Sequence, residues 1–351
     1  MTDSDRAIEA QATLHHAYFL GLQLMVATSA GARTTGEWIY RLFRQQHEQY
    51  FLQSFAKLGL SGLPDAVACA RYHVLSNSVG GVPVEYAEES STKAWVRFRY
   101  PRWMFAGSTL CGIPVESSMG FLRGWYAHNG VSLNNPRLGF VCVSEDMTGE
   151  FGFCGYFKEF DHALGEEERL QFARDERPPA YDASIQPSLP AAGWDDARIA
   201  RANRNYAVAY IKNGLSALIA VMGREEAMKL ACRAARLTGL QYFPQLAERL
   251  AMPDGDYRDT ARFLQLMFEG MGDVAEMHID ETNDRATISH SQLRIAAGVD
   301  SELREDITTC WIELWLGTIH SHRRFKEVEV RTTPEGLAWT LADRADRPAS
   351  A

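Results

Sequence analysis

One pattern occurs twice in this chain, and that duplication confines the fold to two like units more tightly than any other feature. Residues 62–86 read GLPDAVACARYHVLSNSVGGVPVEY and residues 251–277 read AMPDGDYRDTARFLQLMFEGMGDVAEM. With two residues inserted in the second version, Pro64-Asp65 matches Pro253-Asp254, Gly81 matches Gly272 and Glu85 matches Glu276. Each Pro-Asp suits a helix start. Proline in the first turn gives up no needed N–H, and the aspartate meets the positive end of the helix.

The same order of elements follows in both places. In the first, VPVEYAEESSTKAWVRFRY alternates about a polar centre like a hairpin, a helix is predicted from about Val115 to His128, and LGFVCVSEDMTGEFGFCGYF is a second hairpin. In the second, VAEMHIDETNDRATISHSQLRI, residues 301–320 and KEVEVRTTPEGLAWTLAD repeat the plan, with Trp125 and Trp315 in equivalent helical places. Upstream, GEWIYRLFRQQHEQYFLQSF and REEAMKLACRAARLTGLQYF are both amphipathic helices. The predicted fold is therefore α+β, a tandem duplication of a helical layer on a four-stranded antiparallel sheet, strand-strand-helix-strand-strand after the helices. The boundaries expected are a first copy at 1–159, an acidic linker with four prolines at 160–205, and a second copy at 206–351.

Lys and Arg total 36 against 45 Asp and Glu, with no basic tail or cluster, which argues against nucleic acid and anionic membranes as partners. The charge-free run from Ala10 to Ala32 follows an acidic segment and is broken by Gln11, His15, His16 and Gln23, so it reads as a helix rather than a signal peptide or a span. Its apolar stripe is Ile8, Ala12, Leu14, Phe19, Leu22 and Val26. The six cysteines show no CxxC spacing and sit in apolar segments, as expected of reduced thiols in a cytoplasmic protein. No P-loop, GxGxxG, GxSxG or kinase motif occurs.

The order of elements resembles the ligand-binding fold of 4-vinyl-reductase-like domains, shared with haem-dependent nitric-oxide sensors and vesicle-transport particle subunits. The last hairpin, Glu335-Gly336-Leu337-Ala338-Trp339, resembles the end of the 2-aminothiazoline-4-carboxylic acid hydrolase-like family. At the level of architecture the resemblance implies a small-ligand cavity.

Reactive side chains collect in the first copy. His47 aligns near Arg236 and His73 near Leu264. His47 lies four residues from both Phe43 and Phe51 on a helix that should bury Ile39, Phe43, Phe51 and Phe55, so it points inward, as a core histidine, a metal ligand or a general base. His73 follows on the next helix. The two histidines with Glu85, or with Glu48, would make a facial triad for zinc or iron. Cys111 precedes a helix N-terminus, where a thiol becomes more acidic, and His128 closes that helix. The strand KAWVRFRYPRW separates Lys93, Trp95, Arg97 and Arg99 on one face from Ala94, Val96, Phe98 and Tyr100 on the other. The charged face can hold an acidic group or make salt bridges at the surface, and Arg123 and Arg137 can add to an anion site. Trp95, Trp103, Phe105, Phe121, Trp125, Tyr126, Phe140, Phe151, Phe153 and Tyr156 crowd the same copy, as an aromatic pocket would require.

These residues predict a hydrolase or lyase acting on a small cyclic or aromatic compound. His47, His73, Cys111 and His128 would be catalytic, His47, His73 and Glu85 would hold any metal, and Trp95, Arg97, Arg99, Trp125 and Tyr126 would bind substrate. A non-catalytic small-molecule binding or sensing module is the alternative, and a scaffold is a third reading. A homo-oligomer is compatible with all three.

Overall fold

A computed structural model describes residues 2–99, 107–148 and 150–344. They form two compact units. Of these, the first comprises residues 23–99, 107–148 and 150–199 with Ala220–Met222, and the second comprises residues 2–22, Ala200–Ile219 and residues 223–344.

The chain opens with α1, Asp3–Lys57, which is two helical stretches joined at Gly31. There φ is 82° and ψ is 174°, a conformation that side chains with a Cβ rarely adopt. The stripe predicted for the first stretch is buried, as are Ile39, Phe43 and Phe51 on the second. In the first unit α2 follows at Asp65–Val79, starting at the predicted Pro64-Asp65. Strands β1 (Val84–Ser90) and β2 (Lys93–Phe98) lead to α3 (Val115–Gly124) and the single turn α4 (Asn129–Ser132). Strands β3 (Leu138–Ser144), β4 (Cys154–Glu159) and β5 (Leu170–Phe172) complete a sheet in the order β1-β2-β4-β3-β5.

The period-2 alternation of β2 decides what each face of this sheet meets. Ala94, Val96 and Phe98 join the main core with residues of α2, with Leu122 and Tyr126, and with Phe140, Phe153 and Phe157. Trp95 faces the other way, with Tyr156, Val141, Val143 and Cys154. That second face is covered by the segment expected to be a linker. Phe160 and Ala173 pack on it, β5 pairs parallel to β3, and Glu176 accepts from Tyr156 Oη at 2.7 Å and Lys93 Nζ at 3.1 Å. Gln186 bonds both the N–H and the C=O of Tyr86. Residues 160–199 therefore belong to the first unit, which gains a fifth strand from them.

The second unit contains α5 (Asp196–Met222, apart from its ends), α6 (Arg224–Arg249) and α7 (Tyr257–Met271), then β6 (Val274–Asp280), β7 (Arg285–Ser291), α8 (Ser301–His320), β8 (Lys326–Thr332) and β9 (Gly336–Asp343). Its sheet order, β6-β7-β9-β8, repeats β1-β2-β4-β3. All its strand pairs are antiparallel. The first turn of α7 lies beyond Pro253-Asp254: Asp256 is the cap, accepting from Arg258 N–H, while Asp254 accepts from Arg323 N–H at 2.7 Å. Residues 3–22, expected in the first copy, are part of this unit. Gln11 bonds Met267 O and Tyr18 Oη bonds Ala231 O.

Backbone geometry sharpens the match between the copies. Gly223, between α5 and α6, has φ 83° and ψ 156°, nearly the values at Gly31. Counted from these two glycines, Arg44 stands opposite Arg236, and His47 stands opposite Gly239 rather than Arg236. In each unit two helices run parallel at backbone contact. A Cβ on Gly120 or Gly124 of α3 would strike the backbone of α1 at Gly36 and Tyr40, and one on Gly239 or Gly317 would strike backbone across the α6–α8 crossing.

Candidate functional site

The α8 helix is continuous, whereas its counterpart breaks at Trp125, the C-cap of α3, so the predicted helix to His128 ends early. A short 3-10 turn, Tyr126–His128, and α4 follow. The break carries Asn129 into the core, fully buried, where its Oδ1 accepts from His47 Nε2 at 2.9 Å. That bond places the proton on Nε2 and leaves Nδ1 as an acceptor facing Ser132 Oγ at 3.4 Å.

His47 stacks on Phe51 at 4.3 Å and meets the edges of Trp125 and His128, each at 5.1 Å. Burial pushes its pKa down to about 3, against the opposing bond to Asn129. His73 lies deeper. Its ring stacks on Tyr126 at 3.9 Å and lies nearly parallel to Phe157 at 5.4 Å, and its Nε2 has no hydrogen-bond partner among the described residues. Burial holds its pKa well below the usual value. Burial likewise raises the Cys69 thiol, which also meets the Asn129 side chain. Both histidines are thus neutral members of an aromatic core.

On the solvent side of this layer lies a groove of about 980 Å³, entirely within the first unit. It is lined by Arg33, Gly36, Glu37, Tyr40 and Arg44 of α1, by Glu116, Met119, Gly120 and Arg123 of α3, by Ala127, His128 and Val131, and by Leu164, Glu166, Glu167, Arg169, Leu170 and Phe172. Charged side chains of the parallel helices line both ends of the groove. Arg33, Glu37, tied to Arg41 at 2.8 Å, and Glu116 lie toward one end, where both signs are present, while Arg44, Arg123 and His128 share the other. Burial, then the nearby Arg44 and Arg169 cations, push His128 down to about 4, so it is neutral at pH 7. Its Nε2 is 3.8 Å from Glu48 Oε1. Arg44 donates to the C=O groups of Gly124 and Arg123 at 3.2 Å each, capping the negative end of α3, and its guanidinium lies over Tyr40.

The second unit shows what is unusual here. Counted from Trp125 and Trp315, Arg123 stands opposite Glu313, and Arg44 stands opposite Arg236. Arg236 Nε bonds Glu313 Oε2 at 2.7 Å. The place of an ion pair in one unit is taken by two cations in the other. Arg123 is exposed and forms no ion pair among the described residues.

The remaining predicted residues lie elsewhere. Trp95, Arg97 and Arg99 are on β2: Trp95 Nε1 bonds Glu89 at 2.9 Å on the sheet's second face, and Arg99 and Arg97 reach Glu85 at 2.9 and 3.8 Å. The charged face of that strand is a salt-bridged surface and does not meet the histidines. Glu85 is thereby committed to arginines, and among the described residues no three His, Cys, Asp or Glu side chains are grouped to hold a metal ion. The zinc or iron expectation finds no ligand set there. Cys111 is exposed in a 3-10 turn before α3 and joins neither the groove nor the histidines. Trp103, Phe105 and Tyr100 lie outside the described residues. Trp125 and Tyr126 do meet the histidines, as part of the core. Sequence reasoning missed Arg44, Arg169 and Asn129; aligning Gly31 with Gly223 would have exposed the Arg44–Arg123 anomaly. No family model, curated protein or solved structure matches the chain. Among the described residues no helix is long and apolar enough to cross a membrane.

Proposed function

We propose that the groove of the first unit binds a small organic anion, a carboxylate on an apolar or aromatic body. The observation that carries this reading is the replacement of the Arg236–Glu313 pair by Arg44 and Arg123. The groove thus holds two cations where the second unit has a cation and its carboxylate, and a bound carboxylate would supply the charge that Glu313 supplies in the other copy. Tyr40, Met119, Leu170 and Phe172 offer the apolar surface for the rest of the molecule. The resemblance to small-ligand folds points the same way.

The test is calorimetric titration with benzoate and phenylpyruvate, using benzamide as the neutral control, on the wild type and Arg123→Glu. Binding of the acids alone, lost in the variant, supports the proposal. Equal binding of benzamide, or no loss in the variant, refutes it.

A hydrolase or lyase remains the second reading, favoured by one observation: His128 stands neutral on the groove wall, as a general base must. It predicts that the bound acid is consumed and that His128→Asn stops turnover while leaving binding intact.

A further inference from the structure

The parallel helices of the second unit bring two thiols together. Cys232 of α6 and Cys310 of α8 have their sulfurs 3.5 Å apart, about van der Waals contact. Counted as before, they occupy the places of Tyr40 and Gly120, both of which line the groove of the first unit. The pair is held from both sides. Arg224 bonds Asp306 at 2.8 Å before it, and after it come the Arg236–Glu313 bridge and the close Gly239–Gly317 backbone contact. Cys232 is half-exposed and Cys310 is buried, an arrangement in which one thiol meets an oxidant and the other is sheltered beside it.

We propose that Cys232 and Cys310 form a peroxide-oxidisable dithiol site, with Cys232 as the attacking thiol and Cys310 as the resolving one. The Cys232 thiolate attacks one oxygen of hydrogen peroxide, the O–O bond breaks, and hydroxide leaves and is protonated to water. Cys232 is then a sulfenic acid. Cys310 loses its proton and attacks the Cys232 sulfur, the S–O bond breaks, a second water leaves and the S–S bond forms. The pair gives up two electrons and peroxide is reduced to two waters. The hydrogen bond from Cys310 favours the Cys232 thiolate, while that same bond and burial disfavour a Cys310 thiolate, in keeping with this order of events. Nothing in this proposal depends on the anion groove.

The experiment treats the full chain with one equivalent of hydrogen peroxide, blocks remaining thiols with iodoacetamide, and maps non-reduced peptides by mass spectrometry. A link between the peptides of Cys232 and Cys310, reversed by dithiothreitol, should be the dominant product, with both thiols lost together. In Cys310→Ser, dimedone should trap the sulfenic acid at Cys232. Should that variant fail to fold, Cys232→Ser at the half-exposed position should abolish the link and leave Cys310 reduced. Oxidation first at the exposed Cys111, or alkylation of Cys232 and Cys310 in full after denaturation, would overturn the proposal.

Discussion

Arg123→Glu copies into the first unit the ion pair of the second, and the two copies together set its expected size. The new carboxylate would face Arg44 as Glu313 faces Arg236, where the side chains are about 30% exposed (31% and 28%) and bond at 2.7 Å. A pair that exposed contributes about 0.3–1 kcal/mol. Against it, Arg123 sits in the last turn of α3, where a cation is favoured and an anion disfavoured by about 0.3–1 kcal/mol each. The two helix-end terms outweigh the new pair, so stability should fall by only about 0.3–1 kcal/mol. Affinity for the anion should change far more. Two unit charges 4 Å apart in water interact by about 1 kcal/mol, and reversal counts twice, so at least ~2 kcal/mol is lost, close to thirtyfold in Kd. Urea denaturation reads the first quantity and isothermal titration with benzoate, at low salt, the second. Wild-type affinity in the variant would refute the reasoning, as would destabilisation by more than about 2 kcal/mol, because then Arg123 is a structural residue.

Three further outcomes are expected. His73→Leu installs the residue of the matching position, Leu264, and removes a buried Nε2 without a partner, so stability should hold or rise in thermal unfolding and anion binding should persist. His47→Ala should cost about 2–4 kcal/mol in urea titrations, since it empties space against Phe51 and Trp125 and strands Asn129 Oδ1; a loss below about 0.5 kcal/mol would contradict the role of the Asn129 bond. Folded-state pKa values near 3 for His47 and near 4 for His15, His16, His128 and His322 lie below the ordinary value of 6.5. Between those values the unfolded chain takes up protons that the folded chain refuses. Stability is therefore full above about pH 6.5 and is lost as pH falls toward 4, by up to ~1.4 kcal/mol per pH unit for each such histidine. Melting temperatures at pH 7.5 and 5 at one ionic strength check this, and equal values would contradict it.

Much of the fold was legible because it rests on short-range pattern. The alternation of residues 93–98 separates Trp95 from Val96 wherever the strand lies in the sheet, and Pro64-Asp65 opens α2 locally, with Pro64 at the cap and Asp65 in the first turn. The Asp256 cap was missed since Asp254 resembles it and only the contact with Arg323 N–H shows that Asp254 is engaged elsewhere. Strand β5 is three residues long and pairs with β3, so nothing in its own periodicity marks it. The candidate site was legible only in part. His47 pointing inward follows from its spacing to Phe43 and Phe51, but its partner Asn129 is brought to it by the break at Trp125.

The sequence by itself determined that there are two copies of one helix-and-sheet unit, because a repeated pattern of apolar period and turn residues must fold the same way twice. The tertiary structure alone decided which reactive residues meet. Helices α1 and α3 touch backbone to backbone at Gly36, Gly120 and Gly124, and that crossing sets Arg44 beside Arg123 and His47 beside Asn129. The same crossing in the second unit sets Arg236 against Glu313 and Cys232 against Cys310. A side chain's chemistry is written locally, but the charge or thiol it faces lies on another helix, and packing chooses it.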